Sequence, residues 1–299
     1  MSIQHRLSSF RFQSPVIQLL VINMIVFVLI KLYSIATLLI FHSTPVMQSK
    51  AFQGLVDLLA MPYEFSELLT HFYTPITYMF VHLDFLHVLF NMLALYFFGN
   101  VFTSTLDEKK VWPLYIFGGL AGALISFTTQ YIPAFQGLSQ HGHLVGASAS
   151  IMSILVATAI MNPNLPMQLF FVGEVKLKYV AVFYVLIDLA SISSGKNLGG
   201  HTAHFGGMLM GIVAAYGWKK GFDITAGWGW LSDKIKSVFL QKKSKMKVVR
   251  GRPLSDDQFN TIRKEKEITL DQILDKINKK GIDSLTPKEK ELLDKFSRN

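Results

Sequence analysis

The sequence predicts an all-α membrane protein, a bundle of six transmembrane helices followed by a small cytoplasmic helical tail. Three observations lead there. Of 299 residues, 51% are hydrophobic, the composition of a multi-spanning membrane protein. The apolar segments stop near Trp218. The charge is also uneven: 20 of the 29 Lys and Arg lie from Lys219 onward, with 12 of the 20 acidic residues, so the tail carries almost all of the +9 net charge. A basic segment directly after a last span marks a cytoplasmic end, and basicity of this origin gives no reason to expect a nucleic-acid partner. The chain has no cysteine, which excludes disulfides, thiolate metal sites and a Cys nucleophile. No cleavable signal peptide is expected, because the first apolar run, from Val16, is too long for one and lacks a small-residue cleavage site.

The predicted organisation is a cytoplasmic N-terminus at 1–14, a six-helix domain at 15–218, an amphipathic and basic linker at 219–252 and a helical extension at 253–299. The first span covers 15–41, interrupted only by Lys31, and is long enough to cross a bilayer with tilt. Residues 43–71 are too polar to span; Phe52, Leu55, Leu58, Leu59 and Met61 suggest packing at the interface. The remaining spans are expected at 77–98, 112–132, 144–161, 179–192 and 202–218. Lys109, Lys110, Lys176 and Lys178, with Arg6, Arg11 and the tail, assign the second and fourth connections and both termini to the cytoplasm.

Spans two, four and six then all enter from the outside. His82, His87 and Asn91 fall early in span two, Ser148 about four residues into span four, and His204 a few residues into span six. At 1.5 Å per residue these groups lie roughly 5–15 Å below the outer surface. Polar side chains in hydrocarbon are costly unless paired, so they mark function.

Ser148 can serve as a nucleophile whose own N–H, near a helix start, points at an oxyanion. His204 can take the serine proton and return it to a leaving amine. His87 and Asn91, at i and i+4, share a helix face and can complete the oxyanion hole. Gly146 and Ala147, with Ala149, leave room for substrate backbone. Gly207, Gly211 and Ala215 continue a small-residue stripe after His204 that admits a close neighbour. His82 is read as fixing span two by hydrogen bonds, His141 and His143 as loop residues, and Asp188 as a structural hydrogen-bonding group rather than a third catalytic member. No metal is expected.

On these residues the chain resembles the rhomboid family of intramembrane serine proteases, over about 75–218. The run from His82 through His87 and Asn91 to Met92 is similar to the family's second-helix motif, Gly146-Ala147-Ser148-Ala149 to its nucleophile motif, and Ala203-His204-Phe205-Gly206-Gly207 to its catalytic-histidine motif. The resemblance implies a rhomboid-like six-helix bundle and a Ser148–His204 dyad without a catalytic acid. It further implies an oxyanion hole of His87, Asn91 and the Ser148 amide, cleavage of single-pass membrane proteins in or near their transmembrane helices, and no cofactor. The fifth helix would act as a gate and 193–200 as a lid. Three features depart from the pattern: Ala149 replaces a usual glycine, the first-loop Trp-Arg pair is absent, and no glutamate follows span two.

In the tail, Trp228, Trp230, Leu231, Ile235, Val238 and Phe239 with interleaved lysines read as an amphipathic helix on the inner membrane surface or as a packed end of the bundle. Residues 242–252 form a basic linker. Two short helices should follow, each opened by a capping box, Thr269-Leu270-Asp271-Gln272 and Thr286-Pro287-Lys288-Glu289, with Gly281 ending the first. Leu270, Ile273, Leu274, Ile277, Leu292, Leu293 and Phe296 would form its core or the surface for an unknown cytoplasmic partner. This unit resembles extensions on some bacterial rhomboids, which implies a bacterial inner membrane. Two other classes compete: a non-catalytic adaptor that binds transmembrane helices, and a transporter or metal carrier using the histidines. The sequence offers no inverted repeat for the latter.

Overall fold

The computed structural model describes residues 14–135, 142–169, 173–192, 197–229, 234 and 256–297. They fall into two compact units, one up to residue 235 and one from 236 onward. The predicted lysine-rich linker at 242–252, His141, and Trp230, Leu231, Ile235, Val238 and Phe239 lie outside the described residues.

In the first unit, α1 (Pro15–Ile40) starts on Pro15 in the first turn, with Ser14 Oγ accepting from Val16 N. It runs along the outside of the bundle, with Ile25, Val28, Leu29, Leu32 and Leu39 exposed. Its inner stripe of Val16, Leu19, Asn23, Phe27 and Ile30 is buried. Asn23 Nδ2 donates to the Tyr115 hydroxyl (3.2 Å), which donates on to Met79 O (2.9 Å). Lys31 Nζ donates to Leu83 O at 2.5 Å, so the lysine within the apolar run is paired.

The segment after α1 forms α2 (Pro45–Leu59) and α3 (Phe65–Thr70), joined through strand β1 (Met61–Pro62). Strand β1 pairs with β2 (His143–Leu144), matching Met61 to Leu144 and Pro62 to His143. The short helix α4 (Thr74–Thr77) and a 3₁₀ turn at Tyr78–Phe80 precede α5 (Phe85–Thr105). The expected start of span two at 77 is therefore corrected. Val81 and Asp84 are extended, and Asp84 sits at the N-cap position of a helix that opens eight residues later than the apolar run.

The core is built by α6 (Val111–Thr129), α7 (Ser148–Met161) and α9 (Leu198–Lys219), with α8 (Leu177–Ile192) packed against α7 and α9. Ser148 is the first residue of α7, not four residues into it. Residues 144–147, expected within that span, lead in as strand and turn. Helix α9 begins four residues earlier than expected, after Asn197 in a left-handed conformation (φ 49°). Glycines allow the three core helices to touch. A Cβ on Gly206 would meet Gly122 Cα at 2.6 Å, one on Gly211 would meet Ser153 O at 2.5 Å, and one on Gly207 would overlap Ala149 O. Ser153 Oγ adds a hydrogen bond to Leu114 O (2.8 Å) across α6 and α7.

A hairpin not foreseen in the sequence, β3 (Pro166–Leu169) with β4 (Gly173–Lys176), connects α7 to α8. Among the described residues, three helical stretches are long and apolar enough to cross a membrane, Pro15–Ile40, Phe85–Thr105 and Glu108–Thr129, and Ser148–Met161 is a shorter apolar helix.

The second unit holds α10 (Asp256–Lys280) and α11 (Pro287–Ser297). The expected cap at Thr269 is overturned. Thr269 lies inside α10, where its hydroxyl donates to Glu265 O (2.7 Å), so the helix runs through the capping box. The second box forms as expected: Glu289 Oε2 accepts from Thr286 N at 2.6 Å, with Pro287 at the first helical position. Gly281 (φ 78°) closes α10. Ile273 and Leu285 are buried, whereas Leu274 is exposed, and Leu292 only slightly less so; the side chain of Phe296 lies outside the described set.

Candidate active site

The site lies where the first residue of α7 meets the second turn of α9. Gly146 prepares it in two ways. Its φ of 113° is a conformation that favours glycine, and a Cβ there would stand 2.7 Å from His87 Nε2. Gly146 N donates to Tyr78 O (2.9 Å), and Ala147 N donates to His82 Nε2 (3.4 Å). The turn leading to Ser148 is thus held from the segment between α4 and α5. His82 is fully buried and packs edge-on to His87, with centroids 5.0 Å apart. Its Nε2 holds the turn leading to Ser148 rather than the helix it was expected to brace.

Ser148 Oγ lies 2.7 Å from His204 Nε2. The close approach of Gly207 to Ala149 sets that spacing, since His204 is one turn before Gly207 and Ser148 adjoins Ala149. Ala147 precedes α7 as its N-cap. The Ser148 N–H belongs to the first turn, whose donors have no intrahelical acceptor, and the helix dipole places partial positive charge there. Asn91 is buried on α5, and its Nδ2 donates to His87 O at 2.9 Å. That bond uses one of two amide hydrogens and orients the other. His87 is half-buried.

Asp188, on α8, is read from the sequence as a structural hydrogen-bonding group, and it bonds two histidines of α9. Its carboxylate is 3% exposed and accepts from His204 Nδ1 at 2.9 Å (Oδ1) and 3.1 Å (Oδ2). The resemblance implies a dyad without a catalytic acid, and the carboxylate extends that pair into a continuous line of Ser148, His204 and Asp188. His201, one turn before His204, also donates through Nδ1 to Asp188 Oδ1 (2.8 Å). Its i−3 spacing from His204 was a readable signal that went unused. His143 faces Asp57 (3.3 Å) at the periphery rather than the site. Ala149 is buried, and its methyl lies against Gly122 on α6, so the alanine found in place of a usual glycine projects away from the serine hydroxyl. Of the expected lid at 193–200, residues 193–196 lie outside the described residues.

Fold and site together define a polytopic helical membrane protein with a serine–imidazole–carboxylate line at the mouth of its core helices. Residues 69–220 match the Rhomboid domain family, and residues 255–299 match a family of unknown function (DUF6576). The chain belongs to the rhomboid family. It is 27% identical over 157 residues to RHOMBOID-like protein 12, mitochondrial, of Arabidopsis thaliana, covering 50% of this chain and 46% of that protein. It is 29% identical over 161 residues to presenilin-associated rhomboid-like protein A, mitochondrial, of Danio rerio, covering 50% and 39%. Against rhomboid protease GlpG of Haemophilus influenzae it is 25% identical over 170 residues, covering 56% of this chain and 72% of the relative. The chain thus spans less than half the length of the first two.

Proposed function

We propose that the chain is an intramembrane serine endopeptidase that cuts membrane proteins in or near their transmembrane helices. The observation that carries this reading is the 2.7 Å contact of Ser148 Oγ with His204 Nε2, backed at Nδ1 by Asp188. Asp188 accepting the Nδ1 proton leaves the Nε2 lone pair free for serine, which is the tautomer a general base needs. Ser148 attacks the scissile carbonyl as His204 takes its proton. Charge developing on the carbonyl oxygen is met by the Ser148 N–H, His87 and the second Asn91 amide hydrogen. His204 then protonates the leaving amine, and water, activated by the same imidazole, hydrolyses the acyl-enzyme. Ser148 and His204 are the catalytic residues; Asp188 is a positioning residue. No metal or organic cofactor has a step here.

Helices α1, α5, α6, α7, α8 and α9 serve as the six spans in this reading, with both termini and the α5–α6 turn cytoplasmic, in a bacterial inner membrane. The length of α7 supports the depth assigned to the site. Its 14 residues rise about 21 Å against ~30 Å of hydrocarbon, so a helix anchored at the inner face begins ~10 Å below the outer one. Helix α8 suits a gate, since Val182, Phe183, Leu186 and Leu189 are exposed and only four of its 16 residues are buried.

The test is cleavage of a model single-pass substrate by purified protein, with folding followed by thermal unfolding. Ser148→Ala and His204→Ala are each expected to fold and to abolish cleavage, and an active-site-directed serine reagent to label Ser148. Near-native turnover in either folded variant rejects the mechanism. A wild type that binds transmembrane helices yet neither cleaves nor takes up the reagent is the adaptor of the competing reading.

A further inference from the structure

Behind the catalytic imidazole sits one donor that the proposed hydrolysis does not require, His201, which completes a set with Asp188 and His204. His201 and His204 occupy one face of α9, and both aim Nδ1 at the Asp188 carboxylate on α8, at 2.8 and 2.9 Å. The two rings stand nearly perpendicular, at 87°, with centroids 5.9 Å apart. Taking one ligand atom from each residue, the three atoms lie within 4.8 Å of one another. The carboxylate is almost wholly buried, and both imidazoles keep side-chain exposures of 18–19%, so a small ion has a route in and an anionic anchor at the bottom.

We infer that Asp188, His201 and His204 form an inhibitory site for a divalent transition-metal ion of the Zn²⁺ class. Two imidazole nitrogens and one carboxylate oxygen are the donors Zn²⁺ prefers, and three protein ligands leave a fourth position for water. Tetrahedral bonds of about 2.0–2.1 Å separate ligand atoms by roughly 3.3 Å, so the two nitrogen–oxygen edges, now 2.8 and 2.9 Å, open by about half an ångström to admit the ion, and the nitrogen–nitrogen edge lies within 4.8 Å.

The consequence for turnover follows from proton accounting. In the metal-free site the His204 proton resides on Nδ1 and is donated to Asp188, and Nε2 accepts from Ser148. A metal bound through Nδ1 needs that lone pair, so the neutral ring carries its proton on Nε2. The same number of protons is held, but Nε2 now donates to Ser148 Oγ and cannot take its proton. Asp188 is withdrawn from imidazole to metal in the same step. Binding stands on this geometry alone, whereas inhibition rests also on the protease reading.

The experiment separates the two. Zn²⁺ is titrated calorimetrically into the detergent-solubilised full chain carrying Ser148→Ala, and Co²⁺ is followed by its visible ligand-field absorption. One ion per chain is expected, with affinity falling by more than about tenfold in His201→Asn and in Asp188→Asn. Asparagine at 201 keeps an N–H for Asp188 but is a poor metal ligand. Zn²⁺ is also expected to protect His201 and His204 of the wild type from diethyl pyrocarbonate, read by mass spectrometry, which needs no variant to fold. With Ser148 restored, Zn²⁺ should lower kcat reversibly with EDTA, and His201→Asn should resist it relative to its own metal-free rate. Absence of stoichiometric binding, unchanged affinity in folded variants, or unprotected histidines overturns the site. If the wild type never cleaves, the protease reading falls, and the binding and protection measurements still decide the metal site.

Discussion

Gly207 has no Cβ where the carbonyl of Ala149 stands, so α9 and α7 meet backbone to backbone one turn from His204 and one residue from Ser148. The spacing of Ser148 and His204 is set by this contact more than by either polar side chain. Gly207→Ala is expected to cost about 1–3 kcal/mol through overpacking and to lower turnover with it. Gly54→Ala, at a helical position with open space around it, is the control and should be neutral or stabilising. Thermal unfolding and initial rates on both variants check this; equal behaviour would mean that the crossing yields freely.

Asp188→Asn is expected to reduce kcat by on the order of a hundredfold or more with little change in KM, because an amide at Nδ1 favours the wrong imidazole tautomer. A merely structural role would instead lower the unfolding midpoint and leave the kcat of the folded fraction intact. Measuring both constants together with the midpoint distinguishes the two.

Asn91→Ala should slow turnover far more than it weakens substrate binding, since an oxyanion donor acts in the transition state. Losing one such donor costs ~3 kcal/mol, about a hundredfold in rate, and less where His87 substitutes. Initial rates across substrate concentrations in liposomes provide the check; a raised KM at constant kcat would make Asn91 a substrate holder.

After the last helix of the bundle, burial alone would raise the Asp223 pKa, but hydrogen bonds from Thr225 and Trp218 and the nearby Lys110 ammonium outweigh it and hold the group at about 2 against an ordinary 3.8. A depressed carboxylate stabilises the folded form above its unfolded pKa and loses that contribution as pH falls. Asp223→Asn is therefore expected to lower the unfolding midpoint near neutral pH, with the difference from wild type shrinking between about pH 4 and pH 2. A difference independent of pH would assign the effect to packing.

Because the chain has no cysteine, single cysteines report orientation without background. An impermeant reagent applied to intact cells is expected to label a cysteine at 142 and to reach one at 110 only after permeabilisation; the reverse pattern would invert the topology.

The residues of the site were legible where chemistry and spacing coincide. Ser148, His204, His87 and Asn91 were all identifiable from small-residue runs and i, i+4 placement. Asp188 was seen, but its contact depends on the rotation of α8 about its axis. That helix is apolar on nearly every face, with Val182, Phe183, Leu186, Ile187 and Leu189 all exposed, so periodicity could not say which way the carboxylate turns. The start of α5 was missed because hydropathy alone read through Asp84. Thr269 shows the opposite failure: a capping pattern within a good helical sequence yields to propagation, which adds a hydrogen bond with each residue.

Eleven of the 14 residues of α7 are buried, so this short helix is surrounded by protein and makes little contact with hydrocarbon. Hydrophobic mismatch, which tilts or stretches lipid-facing helices, therefore has little grip on the element that carries Ser148. On the proposed reading, transferring the protein between thin and thick bilayers would leave Ser148 and His204 in register and act instead on the more exposed α8, changing how readily a substrate helix is admitted.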